Sequence, residues 1–111
     1  MNYVNVMMSD EYKIPSSQIL VSQKTKIKKP SLYKVILLND DYTPMEYVVK
    51  LLKAIFSKSE SEAVNIMLMV HNKGSGVCGV FTKEVAETKV FRVLKMAKND
   101  QHPLKCIMEP E

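Results

Sequence analysis

The chain holds little of what a secreted, membrane-spanning or metal-binding protein needs. Its 111 residues include two cysteines, Cys78 and Cys106, with no C-x-x-C pair and no histidine at zinc-ligand spacing. Both sit in strand-like contexts, which favours buried, reduced thiols over a disulfide. No apolar run approaches the roughly 20 residues a membrane helix requires. The opening stretch, MNYVNVMMSDEY, has no basic flank, long apolar core or small-residue cleavage site, so the expected location is the cytoplasm. Glycine is limited to three residues, and no phosphate-cradling loop, nucleophile elbow or paired-carboxylate scaffold can be found. These absences argue against an enzyme and imply no cofactor and no metal.

An excess of one charge is also mostly missing. The formal charge is +4, but residues 1–30 hold five lysines against two acids, while residues 31–111 hold eleven basic and ten acidic side chains. The surplus lies in the run Lys24, Lys26, Lys28 and Lys29, which reads as a solvated linker. A domain built to neutralise phosphates would carry a basic face of its own. A nucleic-acid-associated protein using this basic tail is the alternative to be weighed, and neither nucleic acid nor membrane is the expected partner.

What is present is one domain's worth of alternating patterns, with 46% hydrophobic and 25% charged residues. Residues 1–29 lack sustained periodicity and are expected to form a flexible N-terminal tail preceding a core domain at 30–111. Tyr33 to Leu38 is a β-branched and aliphatic strand halted by Asn39-Asp40-Asp41. Thr43-Pro44-Met45-Glu46 predicts a helix start, with Thr43 as cap, Pro44 at the first helical position and Glu46 completing a capping box. Met45, Val48, Leu52 and Ile55 follow at helical spacing.

A second capping box, Ser59 with Glu62, opens a helix with Ala63, Ile66, Met67 and Val70 on one face, ended by Lys73-Gly74-Ser75-Gly76. Val77 to about Val85 predicts a strand. A third helix, starting anywhere from Thr82 to Ala86, carries Ala86, Val90, Val93, Leu94 and Ala97 as its apolar stripe. Leu104 to Met108 is a last short strand. The order β-α-α-β-α-β predicts an α+β two-layer sandwich, a three-stranded antiparallel sheet with three helices packed on one face.

Chemistry can concentrate in two places. Asn39, Asp40 and Asp41, with Thr43, occupy a strand-to-helix loop, where acids favour the helix N-terminus but also supply oxygen acceptors for an ammonium group. His71, near the end of the second helix, either meets exposed carbonyls or accepts one such hydrogen. A small hydrolase built on Asp40 and His71 would need a nucleophile beside them, and none is visible. His102, next to Pro103, reads as surface. The eight methionines suit ordinary packing or an adaptable apolar pocket.

The run from Tyr33 to Val48, YKVILLNDDYTPMEYV, resembles the ClpS family of protease adaptors. Met67 to His71 (MLMVH), Cys78 to Thr82 (CGVFT), Glu84 to Lys89 (EVAETK) and His102-Pro103-Leu104 are similar to it as well, in family order over about residues 30–108. The resemblance implies an adaptor, not an enzyme. It would bind proteins whose first residue is Leu, Phe, Tyr or Trp and deliver them to the AAA+ unfoldase ClpA and its peptidase ClpP. By position it implies that Asn39, Asp40 and His71 hold the substrate's α-amino group. Met45, Val48, Met67, Val70 and Leu104 would line the pocket for the first side chain. Glu84 and Lys89 would face the unfoldase, and a monomer is expected.

Overall fold

The computed structural model describes residues 30–111, and the expected tail at 1–29, with its lysine run, lies outside the described residues. Six elements follow in the order β1 (Leu32–Leu38), α1 (Met45–Phe56), α2 (Glu60–Lys73), β2 (Ser75–Thr82), α3 (Lys83–Asn99) and β3 (Lys105–Pro110). The sheet has β1 in the middle, in the order β2-β1-β3, and both pairings are antiparallel. The fold is the expected α+β arrangement.

The strand at the centre is the most apolar one, because it is covered from both sides along its edges and from one face by helices. Val35 and Leu37 point into the core and are fully buried, level with Cys78 on β2 and Cys106 on β3. Both thiols are free and buried, and burial pushes each up to about 12, so they behave as small apolar side chains. On the other face Ile36 aligns with Val77 and Ile107, which are partly exposed. A register shift between Val35 and Ile36 marks a bulge in β2 at this level.

Helix α1 contributes Val48, Leu51, Leu52 and Ile55 to the core, and α3 contributes Ala86, Val93 and Ala97. Leu94 of the expected α3 stripe is exposed instead. It follows Val93 by one residue, about 100° around the helix, so only one of the two can face the sheet. The expected strand to Val85 also stops earlier: β2 ends at Thr82 and α3 begins at Lys83.

The two predicted capping boxes fare differently. Around Ser59 the box forms in full: the Glu62 N–H donates to Ser59 Oγ at 3.2 Å and the Ser59 N–H to Glu62 Oε1 at 2.9 Å. At α1 it does not. Pro44 is the cap residue, one position later than expected, and no side chain caps the helix. The Thr43 N–H is taken by Asp40, and the Thr43 hydroxyl is buried rather than turned to the helix end.

Two glycines are required where α2 turns into β2. Gly74 terminates the helix at φ +90°, a conformation costly for other residues, and its N–H donates to the Val70 carbonyl. Gly76 runs so close to α2 that an added Cβ would meet Val70 Cγ2 at 2.8 Å and the Ile66 carbonyl oxygen at 3.2 Å. Gly76→Ala should therefore lower stability by about 1–3 kcal/mol through overpacking, read as a lower midpoint in urea denaturation with an unchanged slope.

Candidate functional site

The C-terminal end of β1 is where helix and loop residues converge. The Asn39 N–H donates to the Gly74 carbonyl at 2.9 Å, tying the strand's exit to the cap of α2. This single bond brings His71, in the last turn of α2, beside the Asn39–Asp40 loop. Asp40 then shapes that loop: its Oδ2 accepts from the Tyr42 and Thr43 N–H groups, both at 2.9 Å. The result is an Asx-type turn that delivers the chain to α1.

A third segment is held in place from α1. Tyr47 donates its hydroxyl to Asp100 Oδ2 at 2.6 Å, and its ring packs on the His102 ring with centroids 4.3 Å apart. Burial, together with the Asp100 carboxylate, pushes the Tyr47 phenol up to about 12, so it stays a donor. His102 is thus half-buried against an aromatic ring rather than a surface side chain. The contact spans 55 positions in the chain, and no local pattern announces it. It anchors the loop that turns Leu104 inward.

These three segments enclose a cavity of about 350 Å³. All eight residues expected to hold a ligand line it: Asn39, Asp40 and His71 with their polar groups, and Met45, Val48, Met67, Val70 and Leu104 with apolar ones. Val48, Val70 and Leu104 are buried and form the floor. Asn39, His71 and Met45 are exposed, which puts polar acceptors and one thioether at the mouth. Tyr42, Thr43 and Pro44 join them. Their part was half legible, since they continue the Asn39–Asp41 loop, but the expected cap at Thr43 concealed its inward hydroxyl.

The electrostatics of the cavity are set by two atoms. Among the described residues, only Asp40 Oδ1 and Thr43 Oγ1 are buried side-chain oxygens or nitrogens without a hydrogen-bond partner. An unmatched buried acceptor costs about 1–3 kcal/mol, so the site holds unmet demand for a donor. Burial alone would raise the Asp40 pKa. The nearby Thr43 hydroxyl, the Tyr42 and Thr43 N–H groups and the charge of His102 outweigh it, and the carboxyl lies below its ordinary range. The hydroxyl is close enough to favour the anion without completing a well-aligned bond to it. At neutral pH Asp40 is an anion with one oxygen committed to the backbone and the other free.

Glu84 and Lys89 stand apart from this site. Glu84 is exposed in the first turn of α3, just after Thr82, which pairs with Leu32 at the opposite end of β1. Seven strand residues, about 20 Å, separate the two ends. Lys89 donates to the Ile55 carbonyl at 2.7 Å and lies over the Phe56 and Phe81 rings, at 5.8 and 5.7 Å from their centroids. It therefore fastens the end of α1 to α3.

A cavity with an apolar floor and polar acceptors at its mouth is an arrangement suited to holding a ligand. Comparison with known proteins defines the class. Residues 28–107 match the family model described as ATP-dependent Clp protease adaptor protein ClpS. The chain is 58% identical over 97 residues to the ClpS adapter protein of Rhodospirillum centenum, covering 87% of this chain and 90% of that one. It is 58% identical over 93 residues to ClpS 1 of Rhizobium meliloti, covering 84% and 80%. Among solved structures, ClpS2 of Agrobacterium tumefaciens bound to L-phenylalaninamide matches with a TM-score of 0.73 and 44% identity, over 75% of this chain and all of that one. The chain belongs to the ClpS family of Clp protease adaptors, which are adaptors and not enzymes.

The Asp40 carboxylate makes stability depend on pH. Its folded pKa lies below the unfolded value, so its contribution is complete above the ordinary range near ~3.9 and fades as pH falls through the folded value. Asp40→Ala should cost about 1 kcal/mol at pH 7 by freeing two loop amides, and the gap to the parent should narrow as pH falls below the ordinary carboxylate range near ~3.9 in urea titrations.

Proposed function

We propose that the protein captures other proteins by a free N-terminus beginning with Leu, Phe, Tyr or Trp and hands them to the unfoldase ClpA for degradation by ClpP. It acts as a monomer in the cytoplasm. The observation that carries the reading is the bare Asp40 oxygen at an apolar cavity. An N-terminal ammonium is a cation with three donors, and it answers an anion flanked by neutral acceptors. Asn39 and His71 supply the other two acceptors in this scheme. Val48, Val70, Leu104, Met45 and Met67 surround the first side chain. Support comes also from the relative in complex with L-phenylalaninamide, a ligand that joins a free amine to a large apolar side chain.

The cavity volume suits one bulky side chain, that of the first residue. Met45 lines the cavity and is half-exposed at its mouth, and it is assigned to crowd a side chain branched at Cβ, disfavouring Ile and Val. For delivery, Glu84 and Lys89 are assigned to the unfoldase contact. Their position at the far end of β1 leaves both sites free to act together. Because the Lys89 amine is committed to Ile55, Glu84 offers the cleaner probe. The basic tail lies outside the described residues, and nothing among residues 30–111 favours nucleic acid over peptide.

Fluorescence anisotropy with peptides differing only at residue one should show binding for Leu, Phe, Tyr and Trp. Acetylating the amine should weaken it by at least tenfold, since one or more charge-assisted bonds of about 1.5–3 kcal/mol disappear. Equal binding of free and acetylated Phe peptides would discard the reading. Met45→Ala should bring Ile peptides closer to Leu peptides by about 1–3 kcal/mol. Glu84→Lys should slow degradation of a Leu-headed reporter by ClpA and ClpP at least several-fold, while its affinity for the peptide stays as in the parent.

A further inference from the structure

A second depression lies against the first and remains unassigned. It follows the seam between α1 and α2, has a volume of about 760 Å³, and shares Met45 and Met67 with the cavity. The helices run antiparallel along it. Met45 and Met67 line the end that opens on the cavity, and Lys53 pairs with Glu60 at 2.7 Å at the other. Val49, half-buried against the core, and the exposed Glu46, Lys50 and Ala54 lie between. Met45, Val49 and Lys53 fall on one stripe of α1, spanning about 12 Å at 1.5 Å per residue. That length takes three to four residues of extended chain at about 3.3 Å each.

We propose that this trough holds residues two to four of the substrate, extended along α1, and that apolar side chains there strengthen capture. The proposal rests on the reading that the cavity takes the substrate's first residue. A chain whose first side chain occupies the cavity has to leave by its mouth, and Met45 and Met67 form the step between that mouth and the trough. Met45, Val49, Ala54 and Met67 give the trough a mostly apolar surface, Glu46 and Lys50 also line it with one charge of each sign, and the Lys53–Glu60 pair closes its end. Selectivity would then have two parts: the amine and first side chain decide whether a protein is bound, and the next three residues decide how long.

The test compares L-phenylalaninamide with two free-amine peptides, Phe-Gly-Gly-Gly-Ser-Lys and Phe-Leu-Val-Leu-Ser-Lys, by competition anisotropy on the full chain. The apolar peptide should bind about tenfold more tightly than the glycine peptide. Ala54→Glu, a change on an exposed helix position, should remove that difference and leave phenylalaninamide affinity as it was. Equal affinity of the two peptides for the parent protein, or a difference that survives Ala54→Glu, overturns the proposal. Loss of phenylalaninamide binding by the parent would instead sink the cavity reading and this one with it. An Ala54→Cys variant carrying a benzophenone gives a second readout. Photo-adducts on peptide residues two to four support the proposal, whereas adducts on residues 1–29 of the same chain, or on a second copy, assign the trough to another occupant and overturn it.

Discussion

One carboxylate organises the functional end of this molecule. Asp40 ends the central strand, and the backbone amides of Tyr42 and Thr43 hold one of its oxygens. Those bonds do three things at once. They turn the chain into α1, they help to keep the group ionised despite partial burial, and they leave the second oxygen buried without a hydrogen-bond partner. A buried acceptor left without a donor is destabilising, and the fold tolerates it because the surrounding core is well packed. An ammonium bound as proposed would meet an acceptor already in place, which lowers the ordering cost of binding.

The rest of the architecture keeps that arrangement in register. The Asn39–Gly74 bond clamps α2 to the exit of β1, and Gly76 lets β2 leave immediately alongside α2. Tyr47 grips the α3–β3 loop through Asp100 and His102 and so brings Leu104 to the floor. At the opposite pole Lys89 ties the end of α1 to α3. The cavity thus lies at one end of β1, and Glu84 lies at the other.

Much of the fold could be read from local patterns. Ser59 with Glu62 specified a cap in isolation, because both partners of the box lie within four residues and face solvent. The same signature at Thr43 and Glu46 failed. Asp40, three residues upstream, takes the Thr43 amide, and the burial of Thr43 turns its hydroxyl inward. Leu94 is exposed although it fits the α3 stripe, because a pattern of offsets cannot tell which of two adjacent residues faces a sheet that only tertiary packing puts there. His102 was misread for a related reason, since its partner Tyr47 lies on another element.

Sequence by itself determined the element order, the apolar faces and the candidate acceptors at Asn39, Asp40 and His71, since periodicity, turn chemistry and side-chain type are properties of neighbours in the chain. Tertiary structure alone decided that these acceptors share one cavity with Val48, Val70 and Leu104, that one Asp40 oxygen stays bare, and that a trough leads away from the mouth. Each of those depends on contacts between residues tens of positions apart. Closing such contacts is the work of packing the helices onto the sheet, which no local propensity encodes.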